Sequence, residues 1–238
     1  MISFEGVTKR RGSHTILDSI TFQALPGRVT AFLGANGAGK SSTLRILLDL
    51  DHASAGAALI DGRRYRSLRR PLHTVGAMLD GSSAHRSRTA RDHLAWIARS
   101  NGISQRRISE VLGQVGLSDA ARTRVGTFSL GMGQRLGLAA ALLGAPKALV
   151  LDEPVNGLDP QGIRWMRGLL RSHADNGGTV LLSSHLMSEV SEIADDLAVI
   201  SQGRIVASGP VSEVTAGHES LEGAFFALTG TAGNEAAR

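Results

Sequence analysis

The stretch Val29-Thr30-Ala31-Phe32-Leu33-Gly34-Ala35-Asn36-Gly37-Ala38-Gly39-Lys40-Ser41-Ser42-Thr43 decides how this chain is read. Its first five residues are a short, β-favouring apolar run bounded by glycine, which reads as a buried strand. Leu44, Leu47, Leu48 and Leu50 then follow at helical spacing, so a helix is expected over 40–50. Between the two, Gly34 to Ser41 fit G-x-x-x-x-G-K-[ST], the pattern of a loop that wraps phosphate. Glycines let the backbone curl until its N–H groups converge on an anion. The helix N-terminus adds about half a positive charge at the same place. The expected phosphate ligands are therefore Gly34, Asn36, Gly37, Ala38, Gly39, Lys40, Ser41 and Ser42. Lys40 would reach the β- and γ-phosphates as a point charge, and Ser41 would offer its hydroxyl to Mg²⁺.

Two further segments carry chemistry. Ala148-Leu149-Val150-Leu151-Asp152-Glu153 reads as an apolar strand ending in two carboxylates, and the carboxyl end of a strand is where an α/β sheet presents its ligand site. Adjacent strand residues point opposite ways, so the two acids are expected to act differently. Asp152 would hold Mg²⁺, and Glu153 would take the proton of an attacking water as general base. Gly178 to Ser184 is another strand, followed by His185. His185 reads either as a hydrogen-bond partner of the γ-phosphate and the attacking water or as a structural histidine. The other seven histidines have no such context.

Working outward, residues 1–33 read as strands with a turn at Pro26-Gly27, and Ala57–Ile60 and Val75–Leu79 as further short strands. From about 81 to 145 the pattern turns helical. Thr89-Ala90-Arg91-Asp92 is a capping box, Ser104 is a second candidate cap, and a third helix runs from about Gly131 to Leu143. Strands return at 148–151, 180–183, 197–201 and 205–207, with helices near 161–174 and 187–194. The pattern is an α/β core interrupted by a helical insert. A C-terminal helix and a disordered tail are expected over 216–238, the tail (Thr229 to Arg238) being small and polar.

Composition bounds the rest. A chain of 238 residues suggests one to two domains and can bury roughly 70–75% of its unfolded surface, so it folds without staples. With no cysteine, thiol catalysis, Cys-ligated metals and iron–sulfur chemistry are excluded. An aromatic content of 4% disfavours a base-stacking RNA binder. The longest apolar stretch, Gly137 to Ala145, falls far short of the roughly 20 residues of a spanning helix, and the N-terminus lacks a signal-peptide core. The chain is thus expected to be soluble, or bound to a membrane only from outside. Arginine carries most of the net charge of +5. The cluster Arg63, Arg64, Arg66, Arg69 and Arg70 reads either as a solvated loop or as a docking surface for an acidic partner or anionic lipid.

Taken together, the phosphate loop, Asp152-Glu153-Pro154, Asn156-Gly157-Leu158-Asp159-Pro160 and His185 resemble, in order and spacing, an ATP-binding cassette (ABC) transporter ATPase. The resemblance spans roughly residues 1–215 and implies one ATPase domain: a P-loop NTPase core of α/β class, an antiparallel β subdomain, and an α-helical subdomain inserted at about 81–145. It implies ATP and Mg²⁺ as cofactors and a sandwich dimer in which each ATP is also held by the partner's signature segment. Phe128-Ser129-Leu130-Gly131-Met132 resembles that segment, L-S-G-G-Q, with Leu130 at the first glycine and Met132 at the glutamine. Ser129 and Gly131 are retained as a hydroxyl donor and a close-approaching amide. Asp159 matches the loop that couples the two sites.

The family's metal-contacting glutamine falls at Asp80, an acid that would reach the metal but donates no hydrogen bond when ionised. Its adenine-stacking aromatic falls at Arg11, which would either stack its guanidinium on the base or stay solvated. The S-L-G-M form is similar to that of bacterial drug and antibiotic efflux ATPases. The implied function is ATP-driven export of a drug-like or other small molecule through a separate polytopic membrane subunit. Two cassettes, most simply a homodimer, would sit at the inner face of the cell membrane, with no nucleic acid partner. The competing readings are a soluble ABC ATPase acting on nucleic acid or the ribosome, and a non-hydrolysing nucleotide-binding module.

Overall fold

The computed structural model describes residues 1–79 and 83–230. Strands β1 (Ile2–Arg11) and β2 (His14–Ala24) form a hairpin and pair with β4 (Ala55–Ile60) as an antiparallel sheet in the order β2-β1-β4. The second sheet has six strands: β5 (Val75–Met78), β6 (Ala148–Asp152), β7 (Thr179–Ser184), β3 (Val29–Leu33), β8 (Asp196–Ser201) and β9 (Arg204–Pro210), in that spatial order. Its first five strands are parallel, and β9 closes the edge antiparallel to β8.

The parallel strands are buried on both faces, which is why they read as unbroken apolar runs. Their residues alternate between two cores. Val29, Ala31, Leu33, Leu149, Leu151, Val180, Leu182, Leu197 and Val199 face one. Phe32, Ala148, Val150, Leu181, Ala198 and Ile200 face the other, which also takes Phe4, Phe22 and helix α1 (Lys40–Leu47). The two sheets meet through stacked rings, with centroids 4.5 Å apart for Phe4–Phe22 and 5.0 Å for Phe22–Phe32.

Helix α1 stops at Leu47, before Leu50, which lies beyond the helix and is exposed. A single-turn α2 (Pro71–Thr74) leads into β5. Helices α3 (Ala90–Ser100), α4 (Gln105–Gln114) and α5 (Leu130–Leu142) all lie between β5 and β6, strands that hydrogen-bond to each other, so the helical segment is an excursion from one sheet position to the next. Thr89 caps α3 by accepting from the Asp92 N–H at 3.1 Å, and its hydroxyl donates to the Asp92 carboxylate at 2.7 Å. Ser104 holds the cap position of α4 without a side-chain bond. After β6 come α6 (Pro160–Asp175), capped by Asp159 with Pro160 in its first turn, then α7 (Met187–Ser191), α8 (Val211–Val214) and α9 (Leu221–Thr229). Of the expected C-terminal tail, residues 231–238 lie outside the described residues, as does Asp80.

Candidate functional site

The carboxyl ends of three neighbouring strands converge. Register pairs Leu33 of β3 with Ser184 of β7, and Asp152 of β6 with Ser183 of β7. Each strand then releases its functional segment at the same edge: Gly34–Lys40 after β3, Glu153 after β6 and His185 after β7. This is the crevice where open α/β sheets bind ligands.

In the glycine loop, Gly39 takes φ 113°, and a side chain built on it would meet Leu17 Cδ2 at 2.5 Å. Only glycine gives both that backbone and that clearance. The loop is closed by Ala38 N–H to Ala35 O (3.1 Å) and braced from the β8–β9 turn by Gly203 N–H to Ala38 O (3.1 Å). Among the described residues, the amides of Asn36, Gly37 and Gly39 through Ser42 have no protein acceptor, nor do the hydroxyls of Ser41 and Ser42 have a protein partner. Lys40 is buried at 6% exposure and donates to Gly34 O at 2.6 Å and Ala35 O at 3.4 Å. The arrangement is a row of unpartnered donors around one buried cation, which fits polyphosphate.

Glu153 lies 3.7 Å from Lys40 Nζ and 2.8 Å from His185 Nδ1. The sequence reading placed it on strand β6, with strand alternation separating it from Asp152. That is corrected here: β6 ends at Asp152, and Glu153 takes φ 50°. A left-handed backbone step, uncommon for a non-glycine residue, turns its carboxylate towards Lys40 and His185. Ser183 secures the step. This fully buried side chain donates to Asp152 Oδ1 and accepts from the Glu153 N–H at 3.1 Å, while the Ser183 carbonyl accepts from the same N–H at 3.2 Å. A polar residue ending an apolar strand was the only mark of Ser183 in the sequence. The oxygen donors Ser41 and Asp152 suit Mg²⁺, which takes few protein ligands and several from phosphate and water.

Ser129 and Gly131 lie apart from this crevice, at the start of α5. The Ser129 hydroxyl accepts from the Met132 N–H at 3.2 Å as the helix cap, and Leu130 is 67% exposed. Arg11 is also exposed, 3.8 Å from Asp51, whose carboxyl is held below its ordinary range chiefly by its hydrogen bond with Lys9. Arg63, Arg64, Arg66, Arg69 and Arg70 are all exposed. His93, on α3, is 5% exposed with neither ring nitrogen partnered. Burial, helped by Arg88, pushes its pKa below the ordinary histidine value.

Residues 17–156 match the ABC transporter family. The chain is 36% identical over 225 residues to the lantibiotic transport ATP-binding protein SrtF of Streptococcus pyogenes, covering 94% of this chain and 96% of that protein. It is 38% identical over 213 residues to the bacitracin transport ATP-binding protein BcrA of Bacillus licheniformis, covering 88% of this chain and 70% of that protein. A solved structure described as the ATP binding subunit of an ABC transporter superposes with a TM-score of 0.87 at 25% identity, covering 96% of this chain and 99% of its own.

Proposed function

This chain belongs to the ABC transporter family, as an ATP-binding subunit that hydrolyses ATP, and we propose that it powers export of a drug-like or other small molecule through a separate membrane subunit. Two similar proteins named for lantibiotic and bacitracin transport support that cargo class. No described helix is long and apolar enough to cross a membrane; the proposed place is peripheral, at the inner face, beside a subunit that spans.

The observation that carries the catalytic reading is Glu153, held by a left-handed backbone step between Lys40 and His185. Lys40 and the free loop amides would hold the triphosphate, Lys40 exchanging its carbonyl partners for phosphate oxygens. Ser41 Oγ and Asp152 would hold Mg²⁺, which supplies charge neutralisation at those oxygens. Glu153 would take the proton of the attacking water. His185, bonded to Glu153 through Nδ1, would orient that carboxylate and the γ-phosphate. Ser129 and Gly131 would complete the site of a second copy, and the exposed Leu130 beside them is a large apolar group suited to such an interface. ATP would then join two cassettes and hydrolysis would part them.

Glu153→Gln tests this reading. Phosphate release should fall by at least about 10²-fold, the scale of general-base loss, while ATP binding persists and a nucleotide-bound dimer accumulates in sedimentation. Turnover at the wild-type rate would remove Glu153 from the role of base.

A further inference from the structure

The loop that starts at Glu153 and ends at Asp159 is short, and its middle touches the signature helix of the same protomer. Gly157 takes φ 74°, a conformation that favours glycine. A methyl group built on it would stand 2.1 Å from Leu130 Cδ2 and 2.5 Å from Leu130 Cγ. At the next residue of α5, a side chain built on Gly131 would meet Gly157 O and Leu158 Cδ2, each at 3.5 Å. Leu130 therefore fills the space a side chain at 157 would need, and the two positions are complementary in size.

The contact joins two parts of the fold with separate supports. Leu130 opens α5 from the helical excursion, where Ser129 caps the helix. Gly157 belongs to the core, in a loop pinned at one end by Ser183 holding Glu153 and at the other by Asp159, which accepts from the Gly162 N–H at 2.7 Å. Turns within the loop, Asn156 N–H to Glu153 O (3.2 Å) and Leu158 N–H to Val155 O (3.1 Å), make it compact. A push at Gly157 is thus passed along the chain to Glu153 rather than absorbed. We infer that Leu130 is a positioning residue for ATP hydrolysis: through Gly157 it sets the 153–159 loop, and with it Glu153, against the signature helix of its own protomer. The inference rests on the reading of Glu153 as the base.

A cycle of variants tests it, with kcat and KM for ATP and the melting temperature measured on the full chain. Leu130→Ala, at an exposed position that leaves folding intact, lowers kcat about tenfold by letting the loop drift. Leu130→Met, of similar volume, keeps kcat within about twofold. Gly157→Ala lowers kcat about tenfold or more through the clash and the backbone strain. The double variant Leu130→Ala/Gly157→Ala falls about tenfold, no further than Leu130→Ala alone, because without Leu130 there is no clash to add; residues that act independently would instead multiply their losses to about 100-fold. KM for ATP stays within about twofold throughout, since the phosphate ligands are elsewhere. Wild-type kcat in Leu130→Ala, or a double variant about 100-fold below wild type, would overturn the inference. If Gly157→Ala fails to fold, the comparison of Leu130→Ala with Leu130→Met decides alone. Loss of turnover in Glu153→Gln alongside normal turnover in Leu130→Ala would sink this inference and spare the base; normal turnover in Glu153→Gln would sink the base itself.

Discussion

Ser183→Ala isolates the anchor beneath both carboxylates. The wild-type side chain is fully buried, so no water replaces its hydroxyl without rearrangement. It makes two bonds of unequal weight. A hydrogen bond to a charged group contributes about 1.5–3 kcal/mol net, but the Asp152 carboxylate is only half-buried, so water recovers part of that. The second bond, from the Glu153 N–H, is backed by the Ser183 carbonyl at 3.2 Å, so its loss adds little. The expected destabilisation is about 1–2 kcal/mol, a drop in Tm of about 2–8 °C for a chain of this size. The effect on turnover should be larger than on binding. Asp152 and Glu153 lose their shared reference point, so kcat for phosphate release falls about tenfold, while ATP affinity, set by Lys40 and the loop amides, changes less than about threefold. Thermal melting without nucleotide and a phosphate-release assay measure both. A Tm within about 1 °C of wild type together with unchanged kcat would refute the account of Ser183 as the anchor.

Lys40→Ala should lose nucleotide affinity by at least about 10²-fold, since a buried charge-assisted contact to phosphate disappears; equilibrium binding of a fluorescent ATP analogue would read this, and full affinity would contradict the phosphate-site assignment. Stability should depend on histidine protonation. Burial holds His93, on α3, and His173, in the last turn of α6, below the ordinary value near 6.5, so the folded state binds fewer protons than the unfolded one, and stability present above about pH 6.5 is lost as pH falls from there through the depressed folded values. Urea midpoints should therefore drop between pH 7.5 and pH 5.5, less steeply in His93→Phe; a flat or rising midpoint over that range would contradict the burial argument.

What the sequence made legible is what short-range pattern encodes. The strand, glycine loop and helix of residues 29–47 are contiguous, so their types and order suffice. The Thr89 cap and the apolar runs of β6 and β7 are legible for the same reason. The position of Glu153 was not. Strand alternation is a local rule, but β6 stops one residue earlier, and the carboxylate is aimed by a positive φ stabilised from β7. Ser183 and the Leu130–Gly157 contact were illegible because each depends on segments far apart in the chain meeting at a particular register. Ser104 shows the converse: a residue well suited to capping sits at the cap position, yet its hydroxyl makes no capping bond.

The placement of β7 between β6 and β3 bears on how the protein matures. During synthesis the glycine loop leaves the ribosome early, yet its strand has as neighbours β7 and β8, which are translated well over a hundred residues later. Until those strands add by long-range closure, a slow class of event, the loop has no sheet beneath it and His185 is not yet made. ATP that binds the assembled site and not the unfolded chain would therefore favour the completed sheet by mass action.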